Sequence, residues 1–358
     1  MFKSPRNVAF LFLSFPFLAF AQQDALSKAL APNSSSTEQV AASSRISLEV
    51  LVNGNDARPI AYLAPTDFTL LDNGQPRKIV SFRRTDATSG SQFDPPVEVI
   101  FVLDGVNLGP NLDALLRLDL EKFLRRDAGS LSHPTSVFIF SSQGLRTQRV
   151  PSRDGVELAE ELEKTKDLIR SNGFSDYVSG PGDEFRKSID ALTYIATSEC
   201  KKPGKKVLFW LGRAWPMLGD NRSVATNESQ RMFFKAIVSL SRKLRESRMT
   251  VYSIMPADAV SPLGNYQNYL KPVLDWSKAE APDLAVEVLS EHSGGRVIVT
   301  RNDMPDRIAD CIAETGAYYT LTFVPPVARQ VEEYHDLKVQ VARPGVTVRN
   351  ISGYYSSQ

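Results

Sequence analysis

The histidines are the residues that could first suggest catalysis. His133, His292 and His335 fall in a loop, a helix and a strand of the predicted pattern, and none has a second His or Cys at metal-ligand spacing. The sequence contains no Gly-x-Ser-x-Gly elbow, no P-loop and no Gly-x-Gly-x-x-Gly fingerprint. We therefore expect a protein that is not an enzyme. The alternative is a hydrolase whose site is assembled in space, such as His133 with a remote serine.

Two cysteines, Cys200 and Cys311, both fall on the apolar stripe of a predicted helix. In an oxidising compartment they could form a disulfide, which would stabilise the chain by about 4 kcal/mol through loop closure. The alternative is two separate buried thiols that act as small apolar side chains. The spacing alone does not decide between these.

The N-terminus has the pattern of a secretory signal peptide. Lys3 and Arg6 precede an apolar run over 8–18, and Ala19-Phe20-Ala21 supplies small residues for cleavage after Ala21. The run is too short to span a bilayer comfortably, and no later segment is long and apolar enough for stable insertion. We expect a secreted or periplasmic protein.

The composition indicates a folded chain with a proper core, because 42% of the 358 residues are hydrophobic. The net charge of +1 gives no overall field that would attract nucleic acid. One basic tract, 201–206, is interpreted as a solvated turn before a buried strand.

After the signal peptide at 1–21, residues 22–45 are rich in Ala, Ser and Gln and are predicted to be a flexible leader. Alternating apolar residues then predict β-strands over 46–84, with Asp72-Asn73-Gly74 as a turn. A linker at 85–96 carries Ser, Gly, Asp and a proline pair.

From residue 97 the pattern changes to strands that alternate with helices. An apolar run at 97–103 is typical of a strand buried on both faces of a parallel sheet, and 111–127 has its leucines on one helical stripe. Further strands are predicted at 136–140, 145–150, 206–211, 249–254 and 296–299, and further helices at 155–170, 183–200, 229–248, 284–292 and 304–314. This order predicts a doubly wound, mostly parallel α/β sheet over 97–316, with an antiparallel hairpin at 136–150.

The β pattern returns over 317–358, where Tyr319, Leu321 and Phe323 share one face and Leu337, Val339 and Val341 share another. These strands have too few local partners to bury their apolar faces, and the strands of 46–84 have the same deficit. We therefore expect the two ends to form one small β-domain into which the α/β domain is inserted.

The order of elements is similar to that of a von Willebrand factor type A domain, and the chain resembles the bacterial VWFA-related secreted family. The resemblance is carried by 66–82, by Ser293-Gly294-Gly295-Arg296-Val297 leading to Asn302-Asp303, by Tyr318-Tyr319, and by 335–339, 343–348 and Gly353-Tyr354-Tyr355. It implies an A-type, Rossmann-like fold with a binding role, which we expect to be the binding of a protein partner.

The resemblance also implies a place for Mg²⁺ at the carboxyl end of the first buried strand, where hard oxygen donors are needed. Asp104 occupies the Asp position of the Asp-x-Ser-x-Ser turn, but Val106 and Leu108 stand where the hydroxyl groups belong. A Thr position is occupied by Asp183, and a second Asp position by Leu211.

A cation, Arg213, follows and would oppose a metal ion. We therefore expect no cofactor and a degenerate metal site, in which Asp104 caps the following loop or pairs with Arg213. The alternative is an adhesion site that binds Mg²⁺ weakly through Asp104, Asn107 and Asp183.

Two tryptophans follow the buried strand at 206–211. Trp210 is interpreted as core, and Trp215 either covers it or joins Met217 in an apolar contact patch that replaces the metal. The predicted partner surface comprises Asp104, Asn107, Arg213, Trp215 and Met217. The function predicted from the sequence is therefore a secreted interaction module that works without metal.

Overall fold

The computed structural model describes residues 45–86, 97–108, 110–148, 150–166, 181–215, 226–257 and 265–356, with the backbone alone at 110 and 181–183. The predicted signal peptide, the leader up to residue 44 and most of the predicted linker lie outside the described residues. None of the described helices is long and apolar enough to cross a membrane.

The described strands form three sheets. They are β1 (Ile46–Gly54), β2 (Phe68–Asp72), β3 (Gln75–Arg77), β4 (Ile79–Asp86), β5 (Glu98–Asp104), β6 (Ser130–Ser141), β7 (Gly144–Arg146), β8 (Ser152–Asp154), β9 (Lys206–Leu211), β10 (Met249–Pro256), β11 (Val297–Thr300), β12 (Ala317–Phe323), β13 (Tyr334–Val341), β14 (Val346–Arg349) and β15 (Gly353–Tyr355).

The described α-helices all lie between β5 and β12. They are α1 (Pro110–Leu124), α2 (Gly155–Glu163), α3 (Pro181–Glu199), α4 (Asn227–Glu246), α5 (Val286–His292) and α6 (Met304–Glu314).

The central sheet has the strand order β11-β10-β9-β5-β6-β7, and β8 also pairs with β6. The five strands β11, β10, β9, β5 and β6 are parallel, whereas β7 and β8 run antiparallel to β6. Every residue of β5 and β9 is buried because helices cover both faces of the sheet. Helices α1, α2 and α6 contribute to the core on one face, and α3, α4 and α5 to the core on the other. The prediction of a largely parallel α/β sheet is confirmed.

Two antiparallel sheets flank the central one, in the orders β14-β1-β12-β4 and β15-β13-β2-β3. In each of them strands from before the α/β part pair with strands from after it, for example Leu48 with Leu321 and Leu70 with Val339. Their inner faces share one hydrophobic core. Residues 44–358 form one compact unit, so the two sheets flank the central sheet within that unit. The predicted boundaries at 85, 97 and 317 remain predictions.

A buried polar cluster joins the two ends of the chain. Asp72, at the end of β2, is fully buried; its Oδ1 lies 2.8 Å from Nδ1 of His335, and its Oδ2 accepts a hydrogen bond of 2.9 Å from the Tyr354 hydroxyl. Arg77 Nε lies 3.9 Å from the same carboxylate. Gly353 is required beside them, because a Cβ there would lie 2.4 Å from the carbonyl oxygen of His335.

The basic tract at 201–206 differs from the prediction of a solvated turn. Lys205 and Lys206 are each only 1% exposed. Lys205 Nζ lies 3.3 Å from Glu49 of β1, and Lys206 Nζ donates to the carbonyl oxygens of Lys202, Pro203 and Gly204. A buried ammonium group needs such partners, and Lys205 thereby joins the central sheet to a flanking one.

The cysteines are free thiols on opposite faces of the central sheet. Cys200 follows α3 and donates weakly to the carbonyl oxygen of Lys243, whereas Cys311 is buried on α6 beside Arg296. Of the two alternatives, the structure favours separate thiols.

Two other elements differ from the predictions. Helix α2 ends at Glu163 rather than at residue 170, and the second strand of the hairpin shortens to β7. Strand β8 was not predicted because its three residues, Ser-Arg-Asp, carry no apolar alternation; its last residue, Asp154, caps α2 by accepting from the amides of Val156 and Glu157.

Candidate functional site

The candidate site lies at the carboxyl end of β5, where Asp104 is the last residue of the strand. Strand residues alternate between faces, so Asp104 lies on the same face as Ile100 and Val102, which contribute to the core beneath α3 and α4. Trp210 of β9 pairs with Val102 and contributes to the same core. The sheet therefore brings the Trp210 indole to the carboxylate of Asp104.

The carboxylate of Asp104 is fully buried and accepts four hydrogen bonds from neutral N–H groups. Its Oδ1 accepts from the backbone amides of Val106 (3.1 Å) and Asn107 (3.0 Å), which closes the turn after β5. Its Oδ2 accepts from Nδ2 of Asn107 (2.7 Å) and Nε1 of Trp210 (2.8 Å). Both oxygens are therefore engaged within the protein.

Gly212, which directly follows β9, packs against Asp104 and closes the site on that side. A Cβ at this position would lie 2.8 Å from the Cβ of Asp104, closer than side chains normally approach. The Gly212 amide donates to the carbonyl oxygen of Ile254 (3.0 Å), which holds this backbone against β10. Residue 212 must therefore be a glycine for the backbone to cover the carboxylate.

The electrostatics of the site follow from burial. Desolvation raises the pKa of Asp104, and the four hydrogen bonds oppose that rise. Arg213 is exposed and is not among the partners of Asp104. Of the two predicted roles for Asp104, capping the loop is confirmed and pairing with Arg213 is wrong.

Asn107 connects the site to α3. Its Nδ2 lies 3.0 Å from the hydroxyl oxygen of Ser188, and that hydroxyl donates to the carbonyl oxygen of Glu184 (2.9 Å). The Oδ1 of Asn107 is buried and has no hydrogen-bond partner among the residues that the structure describes. Ser188 was missed from the sequence because a single serine on the inner face of a helix carries no signal of its own.

The donor set of the described residues does not fit Mg²⁺. Val106 and Leu108 pack against the hydrophobic cores and Leu211 lies within one, so these positions offer no side-chain oxygen. The Asp104 oxygens face N–H donors, which a hard cation would have to displace. Within the described ranges no group of three acidic, His or Cys side chains could hold a metal ion. The side chain of Asp183 lies outside the described residues.

The predicted contact patch needs one correction. Trp215 is 1% exposed and meets Trp210 edge-on, with ring centroids 5.2 Å apart. This ring therefore belongs to the hydrophobic core beneath α3 and α4. Met217 lies outside the described residues. Of the five residues predicted for the partner surface, Arg213 is exposed, Asn107 is partly buried, and Asp104 and Trp215 are buried.

The histidines have separate surroundings. His133 is 7% exposed, and burial together with the charge of Arg153 lowers its pKa. His335 belongs to the Asp72 cluster described above. His292 Nδ1 lies 2.5 Å from the hydroxyl oxygen of Ser352, beside a cavity of about 50 Å³, which is room for a few water molecules. This Ser–His pair was not predicted, and it lies away from His133.

No protein-family model and no curated protein matches the sequence. Solved structures similar to the chain include the human COPII-coat protein Sec24c (12% identity, TM-score 0.34, 76% of this chain and 46% of that chain). The manganese-loaded Plasmodium vivax TRAP protein is similar at 10% identity and a TM-score of 0.36, over 78% of this chain and 97% of that chain.

The pilus adhesin SpaC from Lactobacillus rhamnosus GG is similar at 7% identity and a TM-score of 0.32, over 83% of this chain and 49% of that chain. The chain thus spans less than half the length of Sec24c and of SpaC. Likeness at these TM-scores carries no information about activity.

Proposed function

We propose that this protein is a secreted, non-enzymatic interaction module of the von Willebrand A type that works without a metal. The position that the metal would occupy is closed by Asp104, its four N–H donors and Gly212, which we together call the structural latch. The observation that carries the proposal is the closed environment of Asp104, with four neutral N–H donors on its two oxygens and Gly212 packed against it. In a metal-bridged adhesion site a carboxylate of this kind would have to face the cation and the partner. Here it faces the indole of Trp210.

The contact surface that we propose is the exposed surface around the structural latch, at the carboxyl ends of the central strands, which we call the carboxyl-end rim. Within the described residues, Arg213 is the exposed residue that we assign to it. Open α/β sheets bind their ligands at the carboxyl ends of the strands, and Arg213 lies just beyond that end of β9. An exposed guanidinium offers a planar set of donors that suits carboxylate groups on a protein partner.

A pair of basic residues that flank β9 makes the test specific. Lys201, before the strand, and Arg213, after it, are both exposed. A photo-crosslinking residue at 213 should capture a protein partner in the native host, whereas the same residue at 201 should not. Arg213→Glu should then weaken binding of the captured, purified partner at least tenfold, with Lys201→Glu as the control. Equal capture from both positions, or equal binding by both variants, would remove this surface from the proposal.

Export is part of the proposal and has its own test. Cleavage after Ala21 would leave a mature chain that begins at Gln22. Intact-mass measurement of the protein recovered from the periplasm or the medium should give the mass of 22–358. A full-length chain recovered from the cytoplasm would contradict export.

A second candidate function is hydrolysis, favoured by the contact between His292 and Ser352. A general base next to a hydroxyl group is the arrangement of a nucleophilic hydrolase, although the adjacent cavity of about 50 Å³ is too small for an acyl substrate. A screen of the pure protein against ester, amide and phosphate substrates should show no turnover. Turnover that disappears in Ser352→Ala would establish the hydrolase instead.

A further inference from the structure

Strand β11 is the edge strand of the central sheet opposite to β7, and within the described residues its outer edge is unpaired. Among the described strands its one partner is β10, with which it pairs in parallel over Val297–Thr300. Val297 is partly buried and Val299 is 48% exposed, whereas Ile298 and Thr300 are buried. An unpaired strand edge that carries an exposed valine is a template for another strand.

The hydrogen-bond register identifies the backbone groups that point outward. The amide of Ser253 in β10 donates to the carbonyl oxygen of Arg296, and in a parallel ladder alternate residues face the same neighbour. Residues 296, 298 and 300 therefore face β10, and Val297, Val299 and Arg301 face away from it.

Two of the outward amides are already satisfied by side chains. The Val297 amide donates to Glu291 Oε1 (3.4 Å), and the Arg301 amide donates to Asp303 Oδ1 (2.8 Å). Between these caps, three outward groups have no partner in the described part of the chain: the carbonyl oxygens of Val297 and Val299 and the amide of Val299.

These three groups match a parallel strand. One ligand residue donates its amide to the Val297 oxygen and accepts from the Val299 amide, and the residue two positions further on donates to the Val299 oxygen. An antiparallel strand would additionally require the Val297 amide, which Glu291 already occupies.

A groove of about 700 Å³ runs along this edge, between α6 and the turn that follows β1. Each arginine in its lining has an acidic partner: Arg58 with Asp56, Arg296 with Glu314 and Arg307 with Asp303. Asp310 of α6 also lines the groove; it is exposed and has no ion-pair partner within the described residues. Glu314 also pairs with Arg349, so the charges around the groove balance overall, and Asp310 provides a local negative charge on the α6 side.

We propose that the β11 edge binds an extended, basic peptide segment of a partner protein as an additional parallel strand. Ligand residues whose amides bond to β11 lie opposite Ile298 and Thr300, so their side chains point toward α6 and Asp310 and are best lysine or arginine. The intervening residues lie beside Val297 and Val299 and are best β-branched. This surface is separate from the carboxyl-end rim and does not depend on it.

The test uses a capped, fluorescent hexapeptide of alternating lysine and valine and measures its binding to the full mature chain by anisotropy. N-methylation of the lysine amides should weaken binding at least tenfold, because those amides face β11, whereas N-methylation of the valine amides should leave it unchanged. If the peptide adsorbed nonspecifically, N-methylation of the lysine amides and of the valine amides would change its binding equally. Equal effects, or no binding at about 1 mM peptide, would overturn the proposal.

Protein variants give an independent measurement. Val299→Pro removes the outward amide without touching the β10 ladder, so it should abolish peptide binding, and Val299→Thr should retain it. Asp310→Lys should disfavour the lysine peptide and favour its glutamate counterpart. Circular dichroism melting establishes that each variant is folded. A folded Val299→Pro protein that binds as tightly as the parent would also overturn the proposal.

Discussion

Asp104 and Asp72 are both fully buried carboxylates, but they are held in opposite ways. Asp104 is surrounded by neutral N–H groups from its own loop and from Trp210, whereas Asp72 is held by His335, Tyr354 and Arg77 from three strands. The first shapes a loop at one end of the central sheet. The second joins the two ends of the chain.

The difference shows how a fully buried acidic residue can be held without a cation. A buried carboxylate needs partners, and several neutral donors can serve in place of a cation. At Asp104 an indole, an amide side chain and two backbone amides fill that role. The identity of the acid at position 104 therefore says less about function than the groups around it.

Removal of Asp72 should give the largest effect. Asp72→Ala leaves His335 and Tyr354 buried without their shared acceptor, so the free energy of unfolding should fall by about 3–5 kcal/mol in urea titrations. Asp310→Ala, on an exposed carboxylate, should change it by less than about 0.5 kcal/mol. Similar losses in the two variants would show that the Asp72 cluster does not hold the ends together.

Asp104→Asn should cost less, about 2–3 kcal/mol, because the new NH2 group faces the two donors that shared one carboxylate oxygen and leaves them without that acceptor. Trp210→Phe removes one of those donors. The two substitutions should therefore be non-additive, and the double variant should lose less than the sum of the single losses. Strict additivity would contradict a direct bond between the indole and the carboxylate.

Glu287 shows what a buried carboxyl group does when it has few donors. It is 2% exposed, and within the described residues its Oε2 has no hydrogen-bond partner. Desolvation raises its pKa from 4.5 to about 7, against a single backbone hydrogen bond that lowers it. Since the folded-state pKa lies above the unfolded one, its contribution to stability is present below pH 4.5 and is lost as the pH rises through about 7.

Glu287→Gln should therefore gain about 3 kcal/mol over the parent at pH 8 and show little difference at roughly pH 3.5, where Glu287 of the parent is protonated in both the folded and the unfolded state. Unfolding free energies at the two pH values measure this. A difference between parent and variant that does not change with pH would contradict an elevated pKa at Glu287.

Gly212→Ala should have the smallest effect, about 1–2 kcal/mol, because the added methyl group forces the backbone away from Asp104. Gly54→Ala is the control, because the nearest atom to a Cβ there is an oxygen of the exposed Asp56 side chain, at 3.0 Å, which can turn away. If Gly212→Ala left the free energy of unfolding unchanged, the backbone that follows β9 would not close the site.

Much of the fold could be predicted from the sequence, because continuous apolar runs identify buried parallel strands and one-sided stripes identify their helices. The predicted bounds of β9 and α6 agree with the observed ones to the residue. The pairing of strands from the two ends of the chain could also be predicted, because strands with one apolar face need partners to bury it.

The candidate site was less predictable. Asp104 was identified from the resemblance, but its partners Trp210 and Ser188 come from other elements, and their approach depends on strand register and helix packing. For Trp215 the sequence left two positions open, over Trp210 or in a partner-contact patch, and the ring is buried against Trp210; residue type alone does not distinguish these.

The most direct test of the structural latch is thermal melting of the mature protein in EDTA and in about 5 mM Mg²⁺, with Asp104→Asn measured alongside. A cation that binds the folded state raises the melting temperature by mass action. The latch predicts that the parent curves overlap within about 1 °C and that Asp104→Asn melts several degrees lower in both conditions. A Mg²⁺-dependent rise in the parent that is lost in Asp104→Asn would contradict it.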